Sequence, residues 1–387
     1  MMMSKKINLV KDTIDFNDIK KLISWLETNP KLTKGELTVE FEKMWSKWLG
    51  VKYSVFVNSG SSANLAAVYS LILSGKLKNN KIVVPAVSWV TTVTPAIQLG
   101  LEPIMCECDM DNLGLDINHL KKIIKEENPS SIILVHVLGI PNHMNEIMQL
   151  CNENNILLIE DTCESIGSEY ENKKLGTFGD LSTFSFYFGH HMSTIEGGMI
   201  STNDEELYHI LLSIRSHGWD RDLPEEKQKS LRKKYNVNNF RSLYTFYYPG
   251  FNLRATDLQA FIGLEQLKKI DIIVNNRHKN FIRYKNEIIN DFWNILPPKN
   301  SFVSNFSFPI ITKNIKLLTE ELINNNIECR PLICGSINEH PFWYERFGKQ
   351  NLPNSKLVHE FGLYLPNNHQ MTDEEISKVI KIVNQNL

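Results

Sequence analysis

The stretch STFSFYFGHHMSTIEGGMI, Ser182 to Ile200, is the part of the chain around which the rest is organised. Phe184 and Phe186 alternate with Ser185 at the period of a strand, Gly189 interrupts the run, and Gly197-Gly198 restart an apolar strand. The spacing predicts a strand, a tight turn carrying His190 and His191, and a second strand. An imidazole in such a turn can take up or deliver a proton, because its unperturbed pKa of about 6.5 lies close to neutral pH. Histidines also pack at turns, so the pair alone assigns no chemistry.

Working outward, β-rich runs recur at Tyr53 to Val57, up to Pro85, Pro103 to Cys108, Ser131 to Val137 and Ile156 to Ile159. Helical patterns such as Ile117 to Ile124 and Met144 to Asn154 separate them. This alternation predicts an α/β fold with a mostly parallel central sheet flanked by helices, and ligands in such sheets bind beyond the carboxyl ends of the strands. Two amphipathic helices are expected before the first strand, over Phe16 to Thr28 and Glu36 to Leu49, and another after the central stretch, Glu205 to Ser216. Asp220 through Lys234 is rich in both charges and poor in apolar residues, which predicts a solvent-exposed loop. Beyond about Asp271 the pattern changes to a helix (Val274 to Asn290), a strand (Phe306 to Ile311), a helix (Ile315 to Asn325) and a last helix (Asp373 to Val383). A large domain over residues 1–270 and a smaller α+β domain over 271–387 are therefore expected.

Of 387 residues, 42% are hydrophobic and 22% charged, the usual globular composition. A formal net charge of -2 makes no electrostatic case for nucleic acid or membrane as the partner and favours a small anion instead. MMMSKKINLVKDTIDF lacks the apolar run of a signal peptide, and no later segment is long and apolar enough to span a bilayer, so a cytoplasmic protein is expected. The six cysteines are scattered, which makes reduced thiols the expectation and leaves the Cys106/Cys108 and Cys329/Cys334 pairs as small hydrophobes more readily than metal ligands.

Several strand exits carry groups suited to an anionic, aromatic ligand. After Val57, Asn58-Ser59-Gly60 breaks into a helix at about Ser61; free N–H groups and the helix dipole suit a phosphate there, and Ser61 and Ser62 add hydroxyls. Serines also cap helices that bind nothing. Trp89, past Pro85, can stack on a flat ring or sit in a core. Glu160-Asp161 ends another strand, where a carboxylate can pair with a protonated ring nitrogen, and Arg330 at a later strand exit can meet a carboxylate or phosphate.

Taken together, Phe184-Ser185-Phe186, the three residues to position 190, Glu196-Gly197-Gly198 and the run YYPGFNLRATDLQAFIGLEQL resemble the DegT/DnrJ/EryC1/StrS family of pyridoxal phosphate (PLP) enzymes acting on nucleotide-linked 4-keto sugars. The resemblance covers about Thr13 to the end. It implies the aspartate-aminotransferase fold (PLP fold type I) and a homodimer with shared active sites. It places Gly60, Ser61, Ser62 and Ser185 on the PLP phosphate, Trp89 over the ring, Asp161 on the ring nitrogen, and Asn252 on the phosphate across the dimer interface. Glu164 stands where many relatives have a glutamine at the ring hydroxyl. His190 stands where the family's lysine tethers PLP, and an imidazole cannot form that imine.

Within the family, a histidine at this place followed by a second one resembles the 3-dehydratases, and the Gly335-Ser336 pair points the same way. The implied cycle aminates PLP to pyridoxamine phosphate (PMP) with L-glutamate, expels the sugar's C3 hydroxyl with His190 as the proton carrier, and releases ammonia. GDP-4-keto-6-deoxy-mannose, or a related GDP-6-deoxy-heptose, is the first substrate to consider. His191, Arg215, His217, Arg221 and Arg330 are the substrate-side candidates. No metal is expected, and no iron–sulfur cluster, because the region 216–248 holds no cysteine. A nucleotide-sugar aminotransferase and a non-catalytic regulatory protein on the same fold are the alternatives. The family also implies deoxysugar supply for a surface polysaccharide, O-antigen or capsule.

Overall fold

In the computed structural model, which describes residues 6–387, the chain opens with helices α1 (Phe16–Leu26) and α2 (Glu36–Leu49). Of the amino-terminal stretch read above, residues 1–5 lie outside the described part. Strand and helix then alternate: β1 (Tyr53–Val57), α3 (Gly60–Ser74), β2 (Lys81–Pro85), α4 (Val90–Gln98), β3 (Glu102–Cys106), α5 (Ile117–Glu127), β4 (Ser131–Val135), α6 (Met144–Asn154) and β5 (Leu157–Asp161). A short hairpin, β6 (Glu169–Tyr170) with β7 (Lys173–Lys174), precedes β8 (Leu181–Ser185) and β9 (Gly198–Thr202).

The main sheet runs β1-β9-β8-β5-β4-β2-β3. Its pairs from β8 through β3 are parallel, and β9 lies antiparallel between β8 and β1. Both faces are buried, as the near-continuous apolar runs require. Ile82, Val84, Ile133 and Ile159 pack on one side with α3 and α7 (Glu205–Arg215), while Val83, Ile132, Leu134 and Leu158 pack on the other with α5 and α6. The parallel order brings the ends of β1, β2, β5 and β8 to one edge. The turn between β8 and β9, carrying His190 and His191, closes over that edge.

The rest comprises α8 (Glu225–Lys234), α9 (Asp257–Leu267), α10 (Ile270–Glu287), β10 (Ser301–Phe302), β11 (Phe308–Ile311), α11 (Ile315–Asn324), β12 (Arg330–Pro331), α12 (Pro341–Phe347), α13 (Pro353–Phe361), β13 (Gly362–Leu365) and α14 (Asp373–Asn386). Strands β11, β13 and β12 form an antiparallel sheet, and β10 joins the β6–β7 hairpin. The apolar pattern announced neither the hairpin nor α12, α13 and β13.

One expectation is corrected outright: much of Asp220–Lys234 is a helix, not a loop. Helix α8 buries none of its residues, so no apolar stripe marks it. Charges hold it instead. Glu225 and Glu226 lie in the first turn and Arg232, Lys233 and Lys234 in the last, matching the helix dipole, while Glu225 pairs with Lys229 one turn on. Arg232 ties the helix to the fully buried Asp220 at 2.8 Å.

Candidate active site

Asp161 ends β5 with its side chain buried at the sheet edge. Its Oδ2 accepts hydrogen bonds from Asn64 Nδ2 and Thr92 Oγ1, both at 2.8 Å, and its Oδ1 accepts from the Cys163 amide at 3.1 Å. Asn64 is itself held, its Oδ1 accepting from Thr183 Oγ1 at 2.6 Å. Asn64, Thr92 and Thr183 carry no motif that a linear reading would single out. The neighbouring Glu160 points to the opposite side, as strand alternation requires, and accepts from the amides of Gly176, Phe178 and Gly179.

Helix α3 begins at Gly60, capped by Ser59, whose Oγ accepts from the Ser62 amide at 3.1 Å. The Ser62 hydroxyl faces that of Ser59 at 3.0 Å, and the Ser61 hydroxyl reaches Thr91 Oγ1 at 3.1 Å. Gly60 is bare of necessity: a Cβ there would lie 2.6 Å from Ser185 Cβ, 3.0 Å from its Oγ and 3.2 Å from Cys163 Sγ. The ends of β1, β5 and β8 thus meet around one backbone. Trp89, the N-cap of α4, leaves about half its surface open to solvent.

His190 is half-buried in the turn after β8, with its ring centroid 5.3 Å from that of Phe306 and its buried Nδ1 without a hydrogen-bond partner. Burial, and then the Arg277 guanidinium, push its pKa down to about 4, against an opposing contribution from the Cys163 backbone. The ordinary value near 6.5 that the sequence suggested is therefore lowered, and the ring is neutral at neutral pH. His191 is fully buried and its Nε2–H donates to the Ser304 carbonyl at 2.9 Å, so it faces the protein interior rather than a substrate. Glu164 is also buried; its Oε2 accepts from the Leu138 amide at 2.8 Å, and burial raises its pKa to about 8.

The remaining candidates scatter. Arg215 is buried and ion-paired with Glu42 and with Asp222 (3.2 Å), and it donates to the Phe56 carbonyl at 3.0 Å. Its guanidinium is enclosed, and the expectation of a substrate contact is corrected accordingly. His217 lies 3.3 Å from Arg254 and packs against Trp219. Arg221 is exposed, 4.0 Å above the Trp219 ring. Arg330 is exposed on β12 and pairs with Glu328 at 3.0 Å. Asn252 is exposed and accepts from Arg254 Nε at 2.9 Å. Among the described residues no group of three or more His, Cys, Asp or Glu is arranged to hold a metal ion.

Residues 13–384 match the profile of the DegT/DnrJ/EryC1/StrS aminotransferase family. The chain is 34% identical over 388 residues to the GDP-4-keto-6-deoxy-D-mannose 3-dehydratase of Yersinia pseudotuberculosis, covering 97% of each chain. To the Escherichia coli protein of the same name it is 36% identical over 374 residues, covering 94% of this chain and 95% of that one. The crystal structure of a GDP-4-keto-6-deoxymannose-3-dehydratase with a trapped PLP-glutamate geminal diamine superposes with a TM-score of 0.89 at 34% identity, over 97% of this chain and 100% of the other. The architecture is accordingly that of PLP fold type I. Matched by the family profile over nearly its whole length, the chain is a member of the DegT/DnrJ/EryC1/StrS family.

Proposed function

We propose that this protein is a PLP/PMP-dependent 3-dehydratase that removes the C3 hydroxyl of a nucleotide-linked 4-keto-6-deoxy sugar, using L-glutamate to aminate the cofactor and releasing ammonia. The observation that carries this reading is His190, a proton carrier with a free ring nitrogen in the turn where relatives of the aminotransferase type present a lysine. Near end-to-end similarity to two 3-dehydratases supports it. GDP-4-keto-6-deoxy-mannose is the first substrate to test, and a GDP-6-deoxy-heptose the second.

The residues present fit PLP. The bare backbone at Gly60, the head of α3 and the Ser185 hydroxyl beside it suit a phosphate monoester. Asp161, anchored by Asn64 and Thr92, suits a protonated pyridine nitrogen, and the open face of Trp89 suits the ring. Glu164 keeps its proton at neutral pH, so it can donate a hydrogen bond to the ring oxygen rather than repel it. When bound, PLP supplies the electron sink for breaking the C–O bond. His190 accepts a proton on its neutral imidazole and returns one to the departing hydroxyl, and His191 holds the turn against Ser304.

A homodimer with shared sites belongs to the same reading. Asn252 is exposed and available to the phosphate of a second copy, and α1 presents an uncovered apolar stripe of Phe16, Ile19, Ile23 and Leu26. Among the described residues no helix is long and apolar enough to cross a membrane, and all six cysteines are unpaired, which supports work in the reducing cytoplasm. The division into domains at about residue 270 is supported by the start of α10 there and by the sheet of β11, β12 and β13, which lies wholly beyond it.

The test is incubation with PLP, glutamate and GDP-4-keto-6-deoxy-mannose, following ammonia, 2-oxoglutarate and the mass of the sugar. Ammonia with loss of the C3 oxygen is expected; an aminated sugar without ammonia would make the protein an aminotransferase, and no turnover of any nucleotide sugar would make it non-catalytic. His190→Lys should lower elimination by about 100-fold or more and introduce a borohydride-reducible link to PLP. Elimination at the wild-type rate in that variant would refute the role of His190.

A further inference from the structure

Arg277 lies on α10, about 1% exposed, and among the described residues no carboxylate forms an ion pair with it. Its guanidinium is met by carbonyl oxygens instead. Nη1 donates to Phe306 at 2.8 Å, to Asn367 and, more distantly, to Asn305, while Nη2 points to the His190 carbonyl at 3.5 Å and Nε has no partner. Asn367 closes the ring of contacts, its Nδ2 donating to the carbonyls of Arg277 at 3.1 Å and Asn305 at 3.0 Å.

A buried cation without a counter-charge is expensive, and an apolar side chain would fill the same volume at lower cost. Burial does bring Arg277 down to about 9, yet it remains a cation at neutral pH. The segment it grips, Ser304 to Phe306, is the one that meets both histidines: His191 donates to Ser304, and the His190 ring lies against Phe306.

We infer that Arg277 is a positioning residue for His190: its forked guanidinium links the His190 carbonyl to the carbonyls of Phe306 and Asn367, fixing the turn that carries the imidazole and keeping a positive charge behind the ring. This rests on the reading of His190 as the proton carrier. The charged group that acts on the His190 ring is Arg277 from α10, opposed by the Cys163 backbone; His191, from the same turn, feels Arg277, His190 and His369, and His369 in turn feels Arg277, Lys269 and Lys11. The charges among them act in one direction, against protonation of these rings.

The experiment compares the full-length wild type with Arg277→Met and Arg277→Lys. The first readout is the NMR titration of the His190 ring in protein free of PLP, assigned with His190→Asn. The second is kcat and KM for GDP-4-keto-6-deoxy-mannose after loading with PLP and glutamate. Removing the charge in Arg277→Met should raise the His190 midpoint by about one pH unit or more. The freed turn should cost on the order of tenfold in kcat with KM little changed. Arg277→Lys should keep the low midpoint but still lose several-fold in kcat, because an ammonium cannot span the carbonyls as the fork does.

A folded Arg277→Met in which His190 titrates as in the wild type overturns the proposal, whatever its kcat. If Arg277→Met does not fold, Arg277→Lys decides, and unchanged kcat there overturns it. Should the wild type not turn over the sugar, the failure belongs to the proposed reaction, and the titration still judges Arg277.

Discussion

Two ionisable residues of the proposed site pull the stability of the protein in opposite directions with pH. Glu164 is raised to about 8 from 4.5, first by burial, so the folded state keeps a proton that the unfolded chain releases. Its contribution is complete below about pH 4.5 and is lost as pH rises toward and through 8. Glu164→Gln retains an acceptor for the Leu138 amide and removes the titration. The variant should gain on the wild type by on the order of 3–4 kcal/mol between pH 5 and pH 8, read as melting temperature against pH. Parallel curves for the two proteins would show that Glu164 does not hold a proton in the folded state. His190, lowered to about 4, has the contrary sign: its neutral form is favoured in the fold, and stability is lost as pH falls from about 6.5 through 4.

At the level of elements, two helix starts are set by residues far away in sequence. The Asp257 carboxylate, at the head of α9, accepts from the amides of Gly35 (2.7 Å) and Thr38 (3.0 Å) and from Thr38 Oγ1 (2.7 Å), capping α2 from outside. Asp257→Ala should cost about 1–2 kcal/mol in urea unfolding, the usual range for a lost N-cap. The start of α3 is set by contact rather than by a cap alone. In Gly60→Ala the new methyl meets Ser185, so the start of α3 must shift, costing about 1–3 kcal/mol and on the order of tenfold in PLP affinity by absorbance titration. A Gly60→Ala variant binding PLP as tightly as the wild type would mean that the head of α3 is not the phosphate cradle.

Across the whole molecule, Arg215 joins α7 to Glu42 of α2 and to Asp222 before α8, and Lys34 adds a second cation to Asp222 at 3.0 Å. Because the guanidinium is enclosed, its removal strands the buried Glu42 carboxylate, while Asp222 keeps Lys34. Arg215→Met should destabilise the protein by about 3–5 kcal/mol in denaturant unfolding. A loss below about 1 kcal/mol would mark the pair as no stronger than a surface ion pair.

The positions of Ser185, His190, Asp161 and Gly60 at strand exits were legible in the sequence, because period-two apolar runs and glycine breaks are local signals and a parallel sheet gathers its carboxyl ends at one edge. Helix α8 was not legible, since it is held by charge rather than by a buried stripe. Nor were the partners of those side chains. Asn64 and Thr92 meet Asp161 from 97 and 69 residues away, and Arg277 reaches His190 across 87. Only packing decided which arginine was enclosed by carboxylates, which by carbonyls and which stayed in water. The sequence alone therefore determined which chemical groups stand at the sheet edge. Their protonation and orientation were set by tertiary structure, because desolvation and hydrogen bonding depend on what the fold brings alongside, not on what precedes or follows along the chain.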